Sequence, residues 1–297
     1  MKQNSRSFQA VDIVLILMMI LPILFLIVLK VLVYPPSAGI NIKGALIYFT
    51  LPMPIQNLPV TESQVNSLAV MISITGLCLF MTHGITGEKI LARHHLAEWI
   101  VETVKKMVSG NMGPHFAGFA PFATAILGLS VFSSLLALFG LYTPTSDINI
   151  VGGWAILVFI LITYYKAICG PVQYLKSFGD PVPLLAPLNI ISEIATPISM
   201  AFRHYGNVLS GAVISVLVAT GLQGLSSMVL GFLPGFLGEI PFLQIGIPAI
   251  LSIYFDVFSG CLQAYIFAML TMLYVAGGFP AELYEQRKRN KPKHTKN

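Results

Sequence analysis

Residues 187–220 read PLNIISEIATPISMAFRHYGNVLSGAVISVLVAT. A helix needs about 20 mostly apolar residues to cross the bilayer core, and this run exceeds that length. Near its centre stands a single arginine, in Ser199-Met-Ala-Phe-Arg203-His204-Tyr205-Gly206-Asn207-Val-Leu-Ser210-Gly211. On a helix, positions i, i+4 and i+7 share a face. Ser199, Arg203, Asn207 and Ser210 therefore fall on one polar stripe, flanked by Gly206 and Gly211. The small residues suit close approach by another helix.

Working outward, further segments of the same character appear. They run over about Val11–Tyr34, Val65–Thr82, Phe116–Leu141, Ile148–Tyr165 and Ile245–Ala276. Between the last two spans, Gly221–Pro248 is rich in glycine and proline and is read as a hairpin. Composition agrees with a membrane protein: 56% of the 297 residues are hydrophobic and only 10% charged, against about 25% charged in a soluble domain. The mean hydropathy is +0.80. A soluble globular enzyme, a disordered tail protein and a nucleic-acid-binding domain are excluded. Cys78, Cys169 and Cys261 lie in or at the ends of apolar segments, so they imply neither a disulfide framework nor a zinc site. The fold class expected is all-α: a polytopic membrane protein of about six helices, the last two long and paired as a hairpin.

Charge placement orients the chain. With six spans and the N-terminus inside, Lys2, Arg6, Lys89, Arg93, Lys105, Lys106, Lys166, Lys176 and the tail Arg287, Lys288, Arg289, Lys291, Lys293 and Lys296 are all cytoplasmic. Only Lys30 and Lys43 fall outside, and Arg203 lies within a span. This follows the positive-inside rule and makes the basic tail an anchor, with no nucleic-acid partner. The first span is longer than a signal-peptide core and no A-x-A site follows it, so a retained helix is expected. Glu88–Val108 interleaves Leu96, Ile100, Val104 and Met107 with Lys89, Arg93, Glu98, Glu102 and Lys106. Such a helix lies along the membrane interface. His94, His95, Glu98 and Glu102 have ligand-like spacing, but a solvated face with a Glu102–Lys106 pair is the favoured reading. No metal and no cofactor are expected.

Ionisable groups within spans are functional hypotheses by default. Besides Arg203 there is Asp256, in Ile253-Tyr-Phe-Asp256-Val-Phe-Ser259-Gly260-Cys-Leu-Gln263, where Asp256, Ser259 or Gly260, and Gln263 form a second stripe. Glu193 lies ten residues before the arginine. Two polar stripes on adjacent helices point to an aqueous path; a mere Arg203–Asp256 lock would not need the smooth surface. Burying an arginine costs about 2.5–3.5 kcal/mol on insertion scales, and its pKa above about 12 prevents it from relaying its own proton. A partner carboxylate at about 4 Å, with an effective dielectric near 20, contributes about 4 kcal/mol of attraction. The same field makes the partner release its proton. A fixed cation beside a moving carboxylate is thus a deprotonating station and a barrier to leak.

Arg203-His-Tyr-Gly-Asn207 resembles the Arg-Leu-Phe-Gly-Asn signature of subunit a of the F-type ATP synthase membrane sector. Pro187-Leu-Asn-Ile-Ile-Ser-Glu193-Ile-Ala-Thr-Pro197-Ile-Ser199 is similar to the family's approach to that arginine. Leu262-Gln263-Ala-Tyr-Ile-Phe267-Ala-Met-Leu-Thr271 is similar to its last helix, and Pro144-Thr-Ser-Asp147-Ile-Asn149 to the loop opening an earlier one. The resemblance covers roughly residues 60–280. It implies a non-catalytic subunit beside a rotating c-subunit ring, with two offset aqueous half-channels separated by the essential arginine, Arg203. It implies that Asn207 and Gln263 are polar partners and Asp256 an access-channel group. Ser199, Asn149 and Glu193 are implied to line the path. Implied partners are the c-ring, the peripheral-stalk b subunits, the rest of the ATP synthase complex and membrane lipid. The implied location is a bacterial plasma membrane, with both termini cytoplasmic. Residues 1–60 look like an addition to the family core, 61–281 form the subunit-a-like domain and 282–297 the basic tail.

His204 and Tyr205 replace the family's Leu-Phe, and Ala212 stands where some members carry an ionisable residue. Asp256 then acts alone, or with Glu193 or Glu239. His204 is expected to pack away from the ring. The proton is the expected ion, although the sequence leaves sodium open because selectivity lies largely in the partner's carboxyl site. The alternative is a secondary transporter whose central arginine binds an anionic substrate; the absence of a convincing repeat between the halves counts against it. An intramembrane enzyme lacks its motifs, there being no His-Glu-x-x-His and no Gly-x-Ser-x-Gly.

Overall fold

The computed structural model describes residues 2–33, 44–54, 56–85, 91–168, 170–179, 182–230 and 242–279. Among the described residues, six segments are long and apolar enough to cross a membrane: Ala10–Val33, Glu62–Thr82, Pro114–Phe139, Ile148–Ala167, Pro183–Val229 and Gly246–Gly277. These are the expected spans, and the protein is an all-α polytopic membrane protein. Helix α1 covers Lys2–Val33. A two-stranded antiparallel ribbon follows, β1 (Ile47–Leu51) paired with β2 (Leu58–Thr61). Then come α2 (Glu62–Thr82), α3 (Ala92–Met112), α4 (Ala120–Leu135), α5 (Ile148–Ala167), the short α6 (Pro171–Ser177) and α7 (Ala186–Leu230). Helix α8 (Phe242–Ser252) passes through a π-helical stretch, Ile253–Ser259, into α9 (Gly260–Gly277).

Helix α1 is seated directly on α2. A Cβ at Gly76 would stand 2.9 Å from the backbone nitrogen of Met19, so only glycine permits this backbone approach. Both ends of α1 are fastened. At one end Asp12 Oδ1 takes Arg93 Nη1 at 3.0 Å and lies 3.3 Å from His83 Nδ1. At the other, Lys30 donates to the Gly140 carbonyl. These contacts define an Asp12 end and a Lys30 end of the bundle.

Helix α3 carries the expected pair, Lys106 Nζ to Glu102 Oε1 at 2.9 Å. The ammonium beside it holds the Glu102 carboxyl below its usual range. The expected solvated face needs one correction. His94 is buried; its ring nitrogens meet the His83 carbonyl at 3.0 Å and the Leu91 amide at 3.4 Å. It caps the exposed backbone end of α2, together with Arg93 Nη2, which donates to the same carbonyl at 3.2 Å. Glu88 and Lys89 lie outside the described residues.

The main core lies among α3, α4, α5, α7 and α9, around Val108, Phe116, Ile126, Val158, Met200, Phe267 and Met272. Here α7 packs against α5, α8 and α9. The hairpin expected over Gly221–Pro248 is narrower than that stretch: residues 231–241 lie outside the described residues, and only its two flanks are corrected. Gly221–Leu230 continues α7 and Pro248 lies inside α8. Glycine within a helix costs only about 1 kcal/mol, and an apolar surrounding favours keeping every backbone bond internal.

Candidate functional site

Helix α7 has two faces with opposite fates. Met200, Ala201 and His204 are buried, which fixes the rotation of the helix against the bundle. One step round, Ser199, Phe202, Arg203, Gly206, Asn207 and Ser210 are exposed. The stripe read from the sequence is therefore an outer surface. Among the described residues no ion pair or hydrogen bond reaches the Arg203 guanidinium, so the Arg203–Asp256 lock is absent from them. Nothing stands within 4 Å of the place where a Gly206 Cβ would be. A smooth, partly polar strip, with Arg203 unpaired among the described residues, thus faces outward from an apolar helix.

His204 points the other way. Its ring is fully buried, edge-on to Trp154 at 6.0 Å and Phe267 at 5.6 Å, with Nε2 3.3 Å from the Ser130 hydroxyl. Asn207 crosses to the neighbouring helix, where its Nδ2 donates to Gln263 Oε1 at 3.2 Å. Gln263 itself is buried. Nearby, a Cβ at Gly260 would stand 2.6 Å from Ser134 Cβ, so glycine brings α9 onto α4. The two expected stripes are in contact through their polar side chains.

Asp256 occupies the π-helical stretch, half-buried, with the Ser252 hydroxyl donating to Oδ2. Such wide turns are rare and recur at functional sites. Phe255 fills the space at Gly211, where a Cβ would approach to 3.1 Å. Asp256 precedes Gln263 by seven residues, about 10 Å along a helix at 1.5 Å per residue, towards the Lys30 end.

Towards the Asp12 end, Glu193 lies about 15 Å from Arg203 by the same rise. Lys166 Nζ is 2.7 Å from Glu193 Oε2, and the Tyr174 hydroxyl donates to Oε1 at 3.3 Å. Burial, with Glu193 beside it, raises the Tyr174 hydroxyl above its ordinary value and keeps it a neutral donor. Glu193 is nearly closed off, with 10% of its side chain exposed. The pair borders a cavity of about 440 Å³, which Asn189, Ser192, Thr196 and Tyr274 also line. Titratable groups thus stand on both sides of Arg203, at different depths.

Asn149 is exposed and turned back on its own helix start. Its backbone and side-chain nitrogens both donate to Asp147 Oδ1 at 3.0 Å, capping α5. Ser63 donates to the other oxygen of Asp147, while Asn66 Nδ2 reaches the Tyr142 carbonyl at 2.7 Å. Sequence reasoning missed this buried polar knot; the acid at the α2 start and the Thr-Pro-Thr-Ser-Asp turn were its only signals. Glu239 lies outside the described residues.

Residues 65–276 match the family model for the ATP synthase A chain. The chain belongs to the ATP synthase A chain family. Relatives named ATP synthase subunit a include that of Legionella pneumophila strain Paris, 27% identical over 241 residues, covering 80% of this chain and 94% of the relative. That of Alkalihalophilus pseudofirmus is 32% identical over 228 residues, covering 71% and 90%. That of Priestia megaterium is 30% identical over 237 residues, covering 75% and 94%. The matched region of this A chain family member runs from α2 to α9. It contains Arg203, Asn207, Asp256, Gln263 and Glu193, and leaves α1 and the β-ribbon outside.

Proposed function

We propose that the chain is the ion-translocating stator subunit of an F-type ATP synthase. In this reading Arg203 separates two aqueous half-channels that serve a rotating c-subunit ring. The observation that carries it is the guanidinium on the exposed face of α7, unpaired among the described residues, amid a surface smooth enough for a passing helix. The ring's mid-membrane carboxyl is the missing counter-charge. Asp256 lies on the Lys30 side of Arg203 and Glu193 on the Asp12 side, so access and exit are offset in depth. Asn207 and Gln263 link the two helices at the level of the arginine. Ser199 lies one turn below on the ring-facing strip, and Asn149 on the Lys30 side.

The Asp12 end is the cytoplasmic one, because Arg93, Lys105, Lys106 and Lys166 cluster there, and with it both termini are cytoplasmic. The membrane is the bacterial plasma membrane. Residues 61–281 form the working domain, 1–60 a fastened addition and 282–297 an anchoring tail. Peripheral-stalk b subunits hold the chain against the ring's drag. The ion is the proton. Each charge crossing 100 mV gains about 2.3 kcal/mol, and several cross per ATP, so a fixed barrier to leak is as necessary as the path itself.

The test is purification of the chain in its native complex. A small two-helix protein with a mid-membrane carboxyl must co-purify, and a photo-crosslinker placed at position 206 must capture it. An intact, ATP-hydrolysing complex without such a protein overturns the reading. Sodium dependence of ATP hydrolysis in the same preparation would replace the proton with sodium.

A further inference from the structure

Glu193 is held directly from two helices and indirectly from a third element. Lys166 closes α5 and reaches its Oε2 at 2.7 Å, and Tyr174 on α6 reaches its Oε1 at 3.3 Å. The third element is indirect. A Cβ on Gly278, just beyond α9, would stand 2.6 Å from both Cγ and Cε of Lys166. The lysine stem therefore lies across the bare backbone of Gly278, and this course delivers the ammonium to the carboxylate. Among the described residues, the titratable groups facing Glu193 are Lys166, Tyr174 and, across the cavity, Tyr274. The remaining cavity polar groups, Asn189, Ser192 and Thr196, carry no charge.

We infer that Lys166, routed over Gly278, is a positioning residue that caps Glu193 at the mouth of the cavity and limits how long that carboxylate retains a departing proton. The inference rests on the half-channel reading above. Both carboxylate oxygens are already engaged, so an arriving proton competes with the ammonium for Oε2 and passes on to cavity water. The carboxylate then returns to its pair with Lys166. Without the ammonium, Glu193 would be a trap on the exit side rather than a relay.

The experiment uses the whole complex in inverted vesicles, with ATP synthesis driven by an imposed proton gradient and measured at an outer (cytoplasmic-face) pH from 6 to 9 per assembled complex. Lys166→Gln should slow synthesis about tenfold at pH 6 and displace the profile by about one unit to higher pH. Lys166→Arg should restore it. Gly278→Ala keeps every polar group but pushes the flexible lysine stem aside, so it should give the same displacement in smaller measure with normal assembly. If Lys166→Gln fails to assemble, Gly278→Ala decides. If Glu193→Gln alters the profile while Lys166→Gln and Gly278→Ala do not, the inference falls and the half-channel reading stands. If Glu193→Gln itself changes nothing, Glu193 leaves the path and both fall at this position.

Discussion

Arg93 and Arg203 are the same side chain put to opposite uses. Arg93 sits where α1, α2 and α3 meet, with 14% of its side chain exposed. It binds Asp12, donates to the His83 carbonyl and lies 4.7 Å from the Phe80 ring centroid. At that corner an opposite charge, a carbonyl and a ring face all come to the guanidinium from within the chain. Arg203 sits on the outer face of α7 with none of these among the described residues. A charge at membrane depth costs several kcal/mol when unmatched, and in the proposed reading its partner comes from the ring. Satisfaction within the chain marks structure, and its absence marks an interface.

The sharpest way to break this contrast is to truncate each arginine. Arg203→Ala should abolish ATP-driven pumping while the complex still assembles, because among the described residues nothing leans on the guanidinium. Arg203→Lys should not restore it fully, since an ammonium lacks the fixed fork. Normal coupled pumping by Arg203→Ala would remove the central role. Asp256→Ala should come next, slowing ion uptake several-fold and changing the pH dependence of ATP synthesis; identical rates from pH 6 to 9 would take Asp256 off the path. Arg93→Ala should show the reverse pattern. It strips a charged hydrogen-bond partner from Asp12, worth about 1.5–3 kcal/mol. The complex should melt earlier, yet pump normally per assembled unit. A pumping defect without a stability defect would dissolve the comparison.

The smallest effect belongs to Glu102→Gln on α3. The folded-state shift is downward, so the pair acts above the usual glutamate range and is lost as pH falls through the lowered value. Exposed as it is, the pair is screened, and the melting temperature near neutral pH should not change measurably. A drop comparable to that of Arg93→Ala would make α3 depend on its outer face.

The spans were legible because length and apolarity are local quantities. So was the stripe through Ser199, Arg203, Asn207 and Ser210, since helical spacing assigns it to one face. The inward turn of His204 was also readable, one residue being a 100° step from its neighbour. What the sequence could not carry was distance between elements. Asp12 and Arg93 are 81 positions apart, and Lys166 and Glu193 are 27. Nothing in periodicity pairs them. The β-ribbon hid among apolar residues that read equally as loop. Gly221 and Gly224 looked like breakers because their cost is set by the surroundings, and an apolar medium makes broken backbone bonds dearer than glycine's entropy.

The wide turn at Ile253–Ser259 closes its hydrogen bonds one residue further along than the helices it joins. Elsewhere in α9, deleting a single residue would swing everything upstream by about 100° and aim a new set of side chains at α7. Within this stretch the same deletion can be absorbed by tightening the coil, leaving both flanks aligned. Asp256 therefore stands on a local reserve of length. Losing one residue there would move Asp256 in depth and facing while Gln263 and the α9 core stay in register.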